Sequence, residues 1–240
     1  IYTIECNSWS SFDPCLVFCD IKGLRKLMYA VAVTILFKDG KLGELKDFFE
    51  NSGFPALEPL KGDMYSIAFF NPKDNVNLGI AFMKDKETAD KFAAIRNENL
   101  MQIQDLLDSF PRVYEGELIT GKTLKDSLIK EPKESMFLAF AKLEVKNADD
   151  YMELQKEIYL PKLEEDEGII SYGAFKVDEE NIVLFEFWDS HDAKHDFDEK
   201  LNSEENIYEK FMPLMNGFDD YYGKPYALKQ FVDFKSGNTI

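Results

Sequence analysis

Gly62-Asp-Met-Tyr-Ser-Ile-Ala-Phe-Phe-Asn-Pro-Lys-Asp-Asn-Val-Asn-Leu78 and, 106 residues downstream, Gly168-Ile-Ile-Ser-Tyr-Gly-Ala-Phe-Lys-Val-Asp-Glu-Glu-Asn-Ile-Val-Leu184 carry one pattern twice. Gly62, Ala68, Phe69, Asn75, Val76 and Leu78 line up with Gly168, Ala174, Phe175, Asn181, Ile182 and Leu184 without a gap. Internal repetition constrains architecture before single elements do. Each stretch reads as a hairpin: Met64–Asn71 and Val76–Met83 flank the turn Asn71-Pro-Lys-Asp-Asn75, while residues 169–177 and Asn181–Trp188 flank Asp178-Glu-Glu180.

Working outward, residues 29–37 are apolar and β-branched and predict a strand. Leu42, Leu45, Phe48 and Phe49 have the three-and-four spacing of a helix over 42–51. Residues 86–108 predict a long helix with Ala89, Phe92, Ala93, Leu100 and Ile103 on its apolar side, and 112–119 a strand. Downstream, 136–145 predicts a strand, and 149–160 a helix carrying Tyr151, Leu154 and Ile158, with Pro161 tightening its end. Residues 190–215 read as mostly helix, Asp219-Asp220-Tyr221-Tyr222 as a turn, and 226–234 as a closing strand. The order β-α-β-β-α-β, met twice, is the ferredoxin-like arrangement of an α+β protein. Two such units, 28–122 and 135–234, are joined by a polar linker at 123–134 and followed by a tail at 235–240. Each unit leaves one sheet face uncovered, and the sister unit is the natural cover.

The chain has 240 residues and a net charge of −17, from 45 Asp and Glu against 28 Lys and Arg. Phosphate-binding surfaces need clustered Lys and Arg, so nucleic acid is excluded as a partner. No apolar run is long enough to cross a membrane as a helix. All three cysteines, Cys6, Cys15 and Cys19, fall in residues 1–27. That segment is neutral, with Glu5, Asp13 and Asp20 against Lys22, Arg25 and Lys26, so the whole acidity belongs to the repeats. Its apolar run is too short for a secretory signal, and a CxxxC spacing without a nearby His is a poor zinc site. The segment reads as an extension outside the fold, with Met28 as a natural start, and the protein as cytoplasmic.

Leu184-Phe-Glu-Phe-Trp188-Asp-Ser-His-Asp-Ala193 resembles the third strand and second-helix start of antibiotic-biosynthesis-monooxygenase-like domains. The segment from Tyr159-Leu-Pro161 to Gly168-Ile-Ile-Ser-Tyr172 resembles their first-helix end, and Phe54-Pro55 to Gly62-Asp-Met-Tyr65 is its first-half equivalent. The resemblance covers most of residues 28–232 as two copies. It implies the dimeric α+β barrel fold, formed here by one chain as an intrachain pseudo-dimeric barrel packed sheet to sheet, and activities ranging from cofactor-free monooxygenation to none. Many members carry a His nine or ten residues beyond the strand-three Trp, where this chain has Phe197 and Asp198, with His195 close by. Haem-degrading members carry an Asn on the first strand, which residues 29–37 and 136–145 lack. In the repeat alignment Phe82 takes the place of Trp188.

A cofactor-free oxygenase needs an aromatic-lined pocket for an electron-rich phenol and a base to deprotonate it. Tyr172 and Trp188 are the candidates to orient such a substrate, and His195, of a residue type with a reference pKa of about 6.5, is the candidate base. Tyr65, Phe82, Phe175 and Phe197 are the candidate pocket wall. The competing reading is that these aromatics are ordinary core. His191 and His195, spaced i, i+4 among Asp189, Asp192 and Asp196, have metal-ligand chemistry, but acids at a solvated helix start account for them and no metal is expected. The acidic run Glu164-Glu-Asp-Glu167 reads as a solvated helix end. The expectation is therefore a cofactor-independent enzyme acting on a small aromatic or hydrophobic molecule. The alternatives are a binding protein for such a ligand and an interaction protein built on a decayed copy of the fold.

Overall fold

The computed structural model describes residues 29–60, 63–71, 75–125, 135–223, 232–233 and 238–239. The leader, the linker from 126 and most of the tail lie outside the described residues. The first half runs β1 (Tyr29–Leu36), α1 (Leu42–Phe48), β2 (Met64–Asn71), β3 (Val76–Met83), α2 (Lys86–Gln102) and β4 (Arg112–Thr123). The second runs β5 (Phe137–Val145), α3 (Ala148–Leu154), α4 (Leu160–Glu165), β6 (Ile169–Lys176), β7 (Asn181–Trp188), α5 (His191–Glu205), α6 (Ile207–Phe211) and β8 (Met215–Gly223). Two short strands, β9 (Val232–Asp233) and β10 (Asn238–Thr239), follow.

All described strands form one antiparallel sheet in the order β10-β9-β2-β3-β1-β4-β6-β7-β5-β8. The joint between the halves is β4 on β6, from Glu117↔Lys176 to Thr123↔Ser171. A Cβ on Gly116 would stand 2.5 Å from the Lys176 carbonyl carbon, so only glycine permits this approach. The two outermost long strands, β2 and β8, come within 8 Å of each other, Cα to Cα.

Side chains alternate across a strand, so every strand divides its residues between two environments. One face of both halves meets in a shared interior holding Phe69, Phe82, Phe140, Phe175, Phe185 and Phe187. Phe69 stacks near Phe187 and Phe82 near Phe185, each with ring centroids 5.3 Å apart, and Tyr114 lies 6.4 Å from Phe140. Every one of these pairs joins a first-half ring to a second-half ring. The opposite faces are covered by helices, α1 and α2 over Val31, Ile35 and Met83, and α3 to α6 over Leu143, Ile169 and Trp188. Burying a Phe side chain contributes about 1.5–3 kcal/mol, so the shared interior accounts for much of the attraction between the halves.

Both first helices pass into a π-turn at the same place, Phe49–Gly53 in one half and Gln155–Tyr159 in the other. Pro161 does not end a helix; it sits in the first turn of α4, where a missing N–H costs nothing. The helical stretch expected over 190–215 breaks at Asn206, which adopts a left-handed φ of 50°. The strand beside β5 is Met215–Gly223, and Asp219-Asp220-Tyr221-Tyr222 is part of it rather than a turn; of the strand expected over 226–234, only Val232 and Asp233, in β9, are among the described residues. The strand β4 extends to Thr123, further than expected.

The repeat register also needs correcting. Beyond a bulge between Ile169 and Ser171, the 106-residue offset holds in β6, where Phe175 faces the shared interior like Phe69. The strands β3 and β7, however, superpose at an offset of 105. A one-residue slip exchanges the two faces of a strand. The counterpart of Trp188 is therefore Met83, which also packs under helices, while Phe82 matches Phe187 in the shared interior.

Candidate active site

The helix α5 begins where Ser190 caps it, its Oγ accepting from the Ala193 amide at 3.1 Å. From that start, Lys194, Phe197, Asp198 and Leu201 fall on the sheet side at helical spacing, and His195 turns outward. On β7, Leu184, Glu186 and Trp188 share the face beneath α5. These two elements, with the π-turn, α6 and the start of β8, line an open cavity of about 500 Å³. Its wall is apolar at Ala139, Leu143, Leu184, Phe211 and Met215, and polar at Tyr159, Glu186, Lys194, Asp198 and Tyr208.

The polar residues form a continuous network. Tyr159 donates its hydroxyl to Glu186 Oε1 at 2.6 Å, and Trp188 Nε1–H donates to Glu186 Oε2 at 3.0 Å. Lys194 Nζ lies 3.4 Å from that Oε2 and donates to Asp198 Oδ1 at 2.6 Å. Tyr208 donates to the same Asp198 oxygen at 2.5 Å. The ammonium also sits 5.6 Å from the Trp188 ring centroid and 5.9 Å from that of Phe197. Lys194 is only 9% exposed. Burial works against its charge, yet the carboxylates of Glu186 and Asp198 hold the ammonium above the ordinary lysine range. Burial, reinforced by Glu186, raises the Tyr159 phenol well above its usual value, and burial pushes Tyr151 up to about 12. At neutral pH the site presents one ammonium held between two carboxylates, beside the neutral phenols of Tyr151 and Tyr159.

The other half isolates what the fold itself requires. There Asp85 takes the place of Ser190, its Oδ1 accepting from the Thr88 amide at 2.9 Å, and Phe92 is buried like Phe197. At the same 105-residue offset, Glu186, Lys194 and Asp198 correspond to Ala81, Ala89 and Ala93. Tyr159 corresponds to Gly53 on the π-turn. The corresponding space in the first half is a cavity of about 80 Å³. The ionic network is thus particular to the second half, since the same framework closes over alanines in the first.

The residues expected from the sequence divide. His195 rims the large cavity but is exposed, with Nε2 3.3 Å from Glu199 Oε1 and its ring stacked 6.3 Å from that of His191. Trp188 is fully buried and reaches the cavity through its bond to Glu186. Tyr172 stands opposite Glu186 across the β6–β7 ladder and lines a void of about 10 Å³ that shares Tyr159 and Glu186 with the large cavity; its hydroxyl donates to Glu164. Burial and that carboxylate raise its phenol above the ordinary range. Glu164 also pairs with Lys122, so the acidic run is in part structural. Phe197 packs 5.0 Å from Trp188 and 5.9 Å from Tyr159, behind the network. Phe82 and Phe175 lie in the shared interior, away from the large cavity. Tyr65 stands on β2, with its side chain outside the described residues. Among the described residues no group of three or more His, Cys, Asp or Glu is placed to hold a metal. Nor is any described helix long and apolar enough to cross a membrane.

No family model matches the sequence, and no curated protein does. Solved structures match it across both halves. A candidate monooxygenase from Fusobacterium nucleatum subsp. nucleatum superposes with a TM-score of 0.67 at 13% identity, covering 86% of this chain and 94% of its own. A candidate monooxygenase from Lactobacillus acidophilus gives 0.61 at 12% identity, over 84% and 98%. An anthrone oxidase-like protein gives 0.60 at 13% identity, over 85% and 92%. The chain shares the fold of these proteins. At such identities the likeness carries the backbone and not the residues of the site.

Proposed function

We propose that this protein is a cofactor-independent monooxygenase-like enzyme, oxidising a small aromatic substrate in the cavity of its second half. The observation that carries the reading is the Tyr159–Glu186–Lys194–Asp198–Tyr208 network on the wall of a 500 Å³ cavity, absent from the matching place in the first half. Cavities of this size suit substrates of two or three rings. The shared fold with an anthrone oxidase-like protein and two candidate monooxygenases supports the reaction class.

In this reading a phenol or anthrone-like substrate stacks on the apolar wall and loses a proton to His195 at the rim. Lys194 has three N–H donors; two face Glu186 and Asp198, and the third holds the developing oxyanion. The electron-rich anion then reduces dioxygen. One oxygen atom enters the ring carbon as a new carbonyl, and the other leaves as water with the proton that His195 took and the hydrogen remaining on that carbon. Residues 28–122 and 135–234 act as two units of one closed barrel joined by 123–134, with the first unit as scaffold.

Oxygen uptake with a panel of quinols and anthrones tests the reading. Turnover is expected, and Lys194→Met is expected to lower kcat by about 100-fold or more, as loss of an oxyanion donor does elsewhere. Ligand binding with no oxygen uptake across the panel would overturn catalysis and leave a binding protein.

A further inference from the structure

The 80 Å³ cavity of the first half, under α1 and α2, has a chemistry of its own. Its walls are apolar at Val33, Leu57, Phe92 and Ile103, and Gly79 leaves open space where a Cβ would meet nothing within 4 Å. One charged side chain lines it, Arg96. The Nη1 of Arg96 is sealed from water and has no hydrogen-bond partner. Its nearest carboxylate, Glu115 Oε2, stands 3.7 Å away on a half-exposed side chain, beyond hydrogen-bond reach. Its Nε reaches Asn97 Oδ1 only at 3.4 Å. Guanidinium stays charged at every accessible pH, and buried donors of this kind are almost always satisfied. The fold does not demand it either, because the matching position in the second half is Leu201, buried at 3%.

We propose that this cavity is a second ligand site, taking a short aliphatic carboxylate whose head pairs with Arg96 and whose chain fills the space beside Gly79. A water needs roughly 10–15 Å³ measured this way, so the volume holds about six heavy atoms, the size of butyrate. A largely apolar wall, polar at Ser66, Asn77 and Asn99, with one guanidinium N–H left unsatisfied selects a monoanion with an alkyl tail over a neutral or dianionic molecule. The site lies in the opposite half from the proposed catalytic cavity and stands independently of it.

Calorimetric titration of the full chain with sodium butyrate, 1-butanol and inorganic phosphate tests this. One butyrate per chain is expected, with butanol and phosphate weaker by about tenfold or more, the usual value of a charge-assisted pair. Arg96→Leu, the residue the second half carries, is expected to weaken butyrate to the level of butanol. Gly79→Val keeps the arginine but fills the space, and is expected to abolish binding while raising the melting temperature. Absence of butyrate heat at millimolar concentration, equal binding of butyrate and butanol, or unchanged binding in the Gly79→Val protein would each overturn the site.

Discussion

Gly116→Ala is the sharpest test of how the two halves are joined. A Cβ at this position would stand 2.5 Å from the Lys176 carbonyl carbon and 3.1 Å from Val177 N, whereas ordinary contact begins near 3.4 Å. The clash is with backbone, so no side chain can turn aside. The Lys176 carbonyl oxygen lies nearer still, so the strands β4 and β6 must part by about 1.5–2 Å at Glu117↔Lys176, which takes an ordinary hydrogen bond past its useful range. Two or three ladder bonds at about 1 kcal/mol each are then lost, or about 2–3 kcal/mol in total. For a chain of this size that lowers the melting temperature by about 5–10 °C. Urea unfolding reads the stability, and hydrogen exchange reads Leu118 to Lys122 directly. Gly43→Ala is the control: its Cβ meets nothing within 4 Å in helix α1, and alanine there is expected to stabilise by about 0.5–1 kcal/mol. A Gly116→Ala protein within about 0.5 kcal/mol of the parent, with unchanged amide protection, would refute the close approach and the joint built on it.

Alkaline pH probes the buried phenols. An unfolded Tyr151 ionises near 10.0 and the folded one only at about 12, so its stabilisation is intact below pH 10 and lost as pH rises towards 12. The loss is about 2–3 kcal/mol, and Tyr151→Phe is expected to flatten the urea midpoint against pH over that window. Lys194→Met leaves Glu186 and Asp198 without their cation and is expected to cost about 3 kcal/mol in denaturant unfolding. A double-mutant cycle on Phe69→Leu and Phe187→Leu is expected to give a coupling of about 0.5–1.5 kcal/mol across the shared interior, and additivity would show that the rings do not meet.

Much of the architecture was legible because hydrophobic periodicity and repetition report on burial. The strands around Phe69 and Phe175 and the order of elements follow from that signal. The strand Met215–Gly223 escaped it because Asn216, Gly217, Asp219 and Asp220 are residues that strands disfavour, and pairing with β5 overrides their preference. The slip from 106 to 105 residues was hidden by a bulge in β6 that no composition announces. The site was harder still. His191 and His195 drew attention by spacing, whereas Lys194 and Asp198, also i, i+4, lie on the buried side of the same helix. The available signal was Glu186, a lone carboxylate alternating with Leu184 and Trp188 on an otherwise apolar strand face. Its partner Tyr159 comes from 27 residues away in sequence and only the fold brings it there.

The covalent passage from β4 to β5 has a consequence for what the protein can become. In a symmetric dimer every substitution appears twice, so an ionic cluster placed on one side is imposed on the other. Here the two copies are written separately. Glu186, Lys194 and Asp198 could arise without disturbing Ala81, Ala89 and Ala93, and Arg96 without displacing Leu201. Fusion also keeps the partners together at any dilution, since their encounter is intramolecular. On the proposed function, one half carries the site while the other holds it in shape.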